Sequence, residues 1–176
     1  SLRKNEEIFE KTISVLKNKH NPLLLFPEGT HSDKRRLRQL KKGIFRIAFM
    51  AQEFYKNNPG VKIVPVGMDY SDYQKFRSTL FINYGRPVEV SEYYDLYTKN
   101  NTEAINQLRE RLAKEMSKLM IDIQTEEYYD LYQNLRIVYN SEMRKKLNIA
   151  GKSLLDKFIA DKKMISILDE YKENNH

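Results

Sequence analysis

Between Leu23 and Val66 two apolar runs flank one amphipathic stretch, and that order leaves few folds open. Leu23-Leu24-Leu25-Phe26 is short and lacks polar alternation, so it reads as a strand buried on both faces. Pro27 has no N–H to give a continuing ladder, so the strand ends there and Phe26-Pro27-Glu28-Gly29-Thr30 becomes the loop at its carboxyl end. Ile44, Ile47, Ala48 and Ala51 follow the i, i+3, i+4, i+7 rule, with Phe45, Phe49 and Phe54 widening the apolar face of a helix. Asn57-Asn58-Pro59-Gly60 stops it, and Val61 to Val66 supply a second strand. A short strand–helix–strand crossover predicts that strands 22–27 and 61–66 are parallel neighbours, with Glu28 and Gly67 opening at one edge. Open α/β sheets hold their ligands at that edge. The expected fold class is α/β, a partly parallel sheet flanked by helices, with a C-terminal all-helical extension.

Residues 4–19 carry a helical stripe, and 79–84 and 87–90 read as two short extended pieces around Gly85. From Asn101 only helical patterns remain: Ile105, Leu108, Leu112 and Met116 on one stripe, a second helix over about 126–147, and a third after Gly151. Glu92-Tyr93-Tyr94-Asp95-Leu96-Tyr97 recurs intact as Glu127 to Tyr132. The residues after each copy differ, so a solenoid is unsupported and the repeat reads as coincidence in a tyrosine-rich chain.

The absence of cysteine excludes disulfides and thiolate metal sites and points to a reducing compartment. No apolar run reaches the ~18 residues of a spanning helix, which leaves peripheral membrane contact. The net charge of +7 is concentrated in Lys34, Arg35, Arg36, Arg38, Lys41, Lys42 and Arg46, with no acid between Asp33 and Glu53. One or two of these cations are expected to touch substrate and the rest to meet anionic headgroups. The chain opens at Ser1 directly into a helical pattern, in the manner of an excised piece.

Three elements stand in order: Phe26-Pro27-Glu28-Gly29-Thr30, Lys41-Lys42-Gly43 and Val64-Pro65. Together they resemble the glycerolipid acyltransferase superfamily, the lysophosphatidic acid and glycerol-3-phosphate acyltransferases, over roughly residues 5–90. Their third block reads Phe-Pro-Glu-Gly-Thr-Arg and is followed by Phe-Lys-x-Gly and a Val-Pro block. The resemblance implies transfer of an acyl group from a thioester, on coenzyme A or acyl carrier protein, to a hydroxyl of a glycerol-phosphate or lysophospholipid, with no metal and no bound cofactor. It implies that residues 1–124 are the C-terminal portion of an acyltransferase domain and 125–176 a helical extension. The implied location is cytoplasmic, peripheral on the inner face of a membrane, with no specific nucleic-acid partner.

Such a reaction needs a general base, a phosphate cradle and oxyanion donors. The family's base is the histidine of an upstream His-x4-Asp block. That block is absent here, because Leu25 lies five residues beyond His20, Arg36 five beyond His31, and His176 ends the sequence. No catalytic base is therefore expected within the chain. The resemblance assigns Phe26, Pro27, Glu28, Gly29 and Thr30 to the acceptor pocket, with His31 where the family mostly shows arginine. A carboxylate can accept from a hydroxyl of the acceptor, and glycine lets backbone approach a ligand. Lys41 and Gly43, opening a helix, form the expected phosphate site, since free N–H groups and the helix dipole favour an anion. Val64 and Pro65 are expected to shape the pocket from the strand beneath. A second reading is a non-catalytic module whose basic segment grips anionic lipid or nucleic acid.

Overall fold

The computed structural model describes residues 2–17, 22–30, 32–55, 60–72 and 75–174. Helix α1 spans Leu2–Lys17 and α2 spans Lys42–Tyr55. Strands β1 (Lys62–Ile63), β2 (Val66–Tyr70), β3 (Leu80–Tyr84) and β4 (Val88–Glu89) follow, and then a 3₁₀ turn at Val90–Tyr93. Helices α3 (Tyr94–Lys99), α4 (Asn101–Leu119), α5 (Tyr129–Val138), α6 (Asn140–Lys146) and α7 (Leu154–Asn174) complete the described chain.

The strands form two two-stranded sheets, β1 with β4 and β2 with β3. β1 and β4 run antiparallel, Lys62 opposite Glu89 and Ile63 opposite Val88. This corrects the expected parallel pairing of 22–27 with 61–66: residues 22–26 take no strand structure, and Leu24 and Phe26 are 74% and 71% exposed. An apolar run becomes a strand only when a neighbour accepts its backbone bonds, and β1 takes its neighbour from downstream instead. Pro65 splits the predicted 61–66 strand, because proline cannot donate to a ladder.

The chain divides into two compact units. The first gathers Ser1–His31, Arg38–Val66 and Tyr84–Met116. Its core is built on α2 and α4, where Phe45, Phe49, Leu108 and Leu112 are buried at the predicted helical spacings. Removing each such side chain from water contributes about 1.5–3 kcal/mol. The Phe49 ring stacks on Tyr97 with centroids 4.1 Å apart, which docks α3 on α2. Gln52 is buried, and its Oε1 accepts a 2.7 Å bond from the Val61 N–H.

The second unit gathers Ser32–Leu37, Gly67–Asn83 and Ser117–His176. Ile121, Ile123, Tyr129, Tyr132, Phe158 and Ile165 form its core, with Phe81 and Leu168 packed against them. A Cβ at Gly67 would overlap the Leu119 carbonyl, so β2 passes the end of α4 at a distance only glycine permits. Between α5 and α7, the buried Arg136 bonds the buried Asp161 at 2.5 Å, and Asn140 donates to the other oxygen of that carboxylate at 2.6 Å.

The twin hexapeptides share one local conformation. In each, the first two residues make a tight turn and the third, Tyr94 or Tyr129, begins an α-helix. Their tertiary fates differ: Tyr97 stacks on Phe49 in the first unit, while Tyr132 is buried in the core of the second.

Candidate functional site

Phe26 to Gly29 close a tight turn, with the Gly29 N–H donating to the Phe26 carbonyl at 3.3 Å. Gly29 sits at φ +75°, the left-handed region that a side chain disfavours. The turn is held from downstream at three points, all within the first unit. The Lys41 N–H donates to the Pro27 carbonyl at 2.8 Å, and the Arg38 N–H donates to Glu28 Oε2 at 2.9 Å. The Arg38 guanidinium also donates to Thr30 Oγ1.

The consequence is a small loop pair in which the predicted residues come together. The aliphatic stem of Lys41 crosses Gly29, because a Cβ added there would lie 3.3 Å from Lys41 Cγ and 3.4 Å from Cε. Lys41 is exposed and Glu28 half-buried. Gly43 lies in the first turn of α2, whose leading N–H groups have no partner within the helix, and open space stands where its side chain would be. Chemically, this places an ammonium, a carboxylate and helix N–H groups on one loop, which suits a ligand carrying a phosphate and a hydroxyl.

Two predicted residues lie apart from it. Val64 is exposed and Pro65 buried, and the Pro65 carbonyl accepts from the Gly85 N–H at 2.9 Å. His31 lies outside the described residues. Arg38 was not singled out by its sequence context, although its place between the turn and Lys41, three residues before that lysine, is the signal that could have found it.

The basic segment does not act as one surface. Ser32–Leu37 belongs to the second unit and is strapped there by its own charges. Buried Arg35 pairs with Asp69 and donates to the Tyr70 carbonyl at 2.5 Å, while its backbone N–H donates to the Tyr129 hydroxyl at 2.6 Å. Arg36 donates to the Ile123 carbonyl at 3.0 Å, to the Thr125 carbonyl at 3.0 Å, and to Glu126. Lys34 reaches the same Glu126 at 2.8 Å, and the Leu37 N–H donates to Asp122 at 2.9 Å. Hydrogen bonds from Lys34 and Arg36 hold the Glu126 carboxyl below its ordinary range, and the bond to Glu126 raises Lys34. The expectation that most of these cations meet headgroups gives way at Lys34, Arg35 and Arg36, which meet protein carboxylates instead.

The family model described as Acyltransferase matches residues 1–69, the part of the chain that holds this turn, and with the relatives below it supports a fragment of the glycerolipid acyltransferase family. Among its relatives, the chain is 31% identical over 135 residues to Glycerol-3-phosphate O-acyltransferase 1 of Saccharomyces cerevisiae, a match covering 73% of this chain and 17% of that protein. Glycerol-3-phosphate O-acyltransferase 2 of the same yeast is 30% identical over 115 residues, 64% of this chain and 15% of the relative. An uncharacterized acyltransferase of Schizosaccharomyces pombe is 37% identical over 87 residues, 47% of this chain and 12% of the relative. The chain therefore spans less than a fifth of the length of the curated relatives it matches. No solved structure matches it.

Proposed function

We propose that this chain is the acceptor-binding portion of an enzyme that transfers a fatty acyl group from a coenzyme A or acyl-carrier-protein thioester to a hydroxyl of glycerol-3-phosphate or a lysophospholipid. The observation that carries this reading is the crossing of the Lys41 stem over Gly29, which brings Lys41 onto the turn that carries Glu28. Two relatives named as glycerol-3-phosphate acyltransferases support the acceptor class.

In the reaction the acceptor oxygen attacks the thioester carbonyl carbon, the new C–O bond forms, the C–S bond breaks, and the thiol leaves as the hydroxyl gives up its proton. The residues of this chain serve the acceptor. Lys41 and the α2 N–H groups near Gly43 take the phosphate. Glu28, with Oε2 held by the Arg38 N–H, offers Oε1 to a hydroxyl on the acceptor. Arg38 holds the turn at Glu28 and Thr30 and positions that carboxylate. The base that removes the hydroxyl proton is supplied from outside the 176 residues, so the chain alone gives no turnover; a positioned base accounts for ~10²–10⁴ in rate.

The test is steady-state kinetics on the full-length enzyme. Lys41→Ala raises KM for the phosphorylated acceptor about tenfold and changes kcat less, because a phosphate contact mostly serves binding. An unchanged KM removes Lys41 from the site. Turnover by the 176-residue chain itself would place the base within it and overturn the division of roles.

A further inference from the structure

The Arg38 N–H that holds Glu28 Oε2 belongs to the peptide group it shares with the Leu37 carbonyl. A peptide group is a rigid plane, so its C=O and its N–H turn together. Whatever grips the Leu37 carbonyl therefore also aims the donor that holds Glu28.

That carbonyl is gripped by a side chain far along the sequence. Gln124 Nε2 donates to it at 3.3 Å and gives its other N–H to Asp122 Oδ1 at 2.6 Å. The same Oδ1 accepts from the Leu37 N–H at 2.9 Å, so both polar atoms of the Leu37 backbone end on this pair. Local sequence puts the two side chains there. Ile121, Ile123 and Thr125 are buried while Asp122 is half-buried and Gln124 exposed, the alternation of an extended run. The run is fastened to the strap by the Ile123 N–H, which donates to the Arg35 carbonyl at 2.9 Å, and by Arg36 Nε, which donates to the Ile123 carbonyl at 3.0 Å. Leu37, Asp122 and Gln124 all belong to the second unit, and the Leu37–Arg38 bond is where the chain passes back into the first. The family model ends at residue 69, so neither Asp122 nor Gln124 lies in the part it matches.

We propose that Gln124 is a positioning residue for acyl transfer: its amide fixes the Leu37–Arg38 peptide group, and through that group the Glu28 carboxylate that receives the acceptor hydroxyl. The assignment rests on the reading of Glu28 as a ligand of the acceptor. It separates Gln124 from the strap's cations, because Lys34, Arg35 and Arg36 end on Glu126, Asp69 and carbonyls of the second unit, whereas Gln124 holds the peptide group whose N–H reaches the turn.

The test is a double-mutant cycle between Gln124 and Glu28, read by steady-state kinetics on the full-length enzyme. Gln124→Met keeps the length of the side chain and removes both donors. It lowers kcat/KM for the acceptor about fivefold, the equivalent of the ~1 kcal/mol of one hydrogen bond. It leaves KM for the thioester unchanged, and the thermal midpoint stays in place because Gln124 is exposed. Glu28→Ala lowers kcat/KM for the acceptor about tenfold or more, as loss of a hydrogen bond to a charged group does. Adding Gln124→Met to Glu28→Ala lowers it no further, since no carboxylate remains for the peptide to aim. Losses that multiply in the double variant overturn the proposal, because Gln124 then acts elsewhere. A Gln124→Met enzyme with full acceptor kcat/KM beside an impaired Glu28→Ala enzyme overturns it too and leaves Glu28 in the site, and a raised thioester KM overturns it as a general disturbance of the enzyme. A Glu28→Ala enzyme with unaltered kinetics instead removes Glu28 from the site, and the role of Gln124 falls with it.

Discussion

Lys34, Arg35 and Arg36 give their charges to Asp69 and Glu126, whereas Lys41, five residues beyond Arg36, lays its stem over Gly29 and keeps its ammonium in solvent. One continuous basic stretch thus contains a strap and the lysine of the candidate site. The strap's cations are matched one by one to protein carbonyls and carboxylates, so their positive charge is internal wiring of the second unit. The turn's backbone is fixed equally firmly, by bonds at Pro27, Glu28 and Thr30, yet those bonds leave the Lys41 side chain uncommitted to a carboxylate partner among the described residues. Density of positive charge is therefore a poor guide to which cations stay open to a ligand. Which cations remain exposed after the fold has satisfied its own acids is the better one.

The contrast breaks most visibly at Arg35. Asp69→Ala strands a buried guanidinium and should cost about 3 kcal/mol of stability in chemical denaturation, while leaving KM for the phosphorylated acceptor of the folded full-length enzyme unaltered. A raised KM with unchanged stability would make the strap part of the site. Lys41→Ala should do the reverse, with the denaturation midpoint unmoved and about 1.4 kcal/mol lost from acceptor binding. Gly29→Ala comes next, at about 1 kcal/mol of stability, because the residue keeps φ +75° only under strain and its methyl meets Lys41 Cγ. If Gly29→Ala is neutral to both stability and KM, the turn and Lys41 are not coupled.

The smallest effect is electrostatic and lies in the strap alone. The carboxyl of Glu126 is lowered from the ordinary 4.5 by hydrogen bonds from Lys34 and Arg36. A depressed carboxylate gives stability that is complete above the ordinary value and is lost as pH falls from there through the folded value. Unfolding curves of the chain should therefore weaken over that acid window, and Glu126→Gln should flatten this part of the profile. A profile unchanged by the substitution would show the exposed pair to be energetically silent.

Much of the helical structure was legible. The spacing of Ile44, Ile47, Ala48 and Ala51 gave α2, and that of Ile105, Leu108, Leu112 and Met116 gave α4, since a helix's buried stripe is written in local periodicity. Tyr139 breaking the predicted 126–147 helix into α5 and α6, and the helix α3, were not foreseen. Pairing was the weak point. The antiparallel match of Lys62 and Ile63 with Glu89 and Val88 is a contact between distant segments, which period-two patterns cannot specify. The same applies to Leu24 and Phe26, whose apolarity predicted a strand that has no partner among the described residues. In the candidate site, the meeting of the Glu28 turn with Lys41 followed from motif order, whereas the positioning role of Arg38 rests on a backbone N–H that every residue type but proline carries.

The twin hexapeptides set a competition that the finished structure conceals. Glu92–Tyr97 and Glu127–Tyr132 are identical in all six side chains and begin a helix at the same place, so a collapsing chain cannot tell them apart by local preference. Only what lies outside the repeat, Phe49 for one copy and Ile121, Ile123 and Phe158 for the other, decides which helix docks where. A molecule in which the wrong copy docked first would hold sound secondary structure around a misassigned core and would have to open before it could proceed. Making the copies unlike at the exposed Asp130, as Asp130→Asn does, leaves both native sockets filled and should speed refolding followed by stopped-flow; an unchanged rate shows that the detour is not populated.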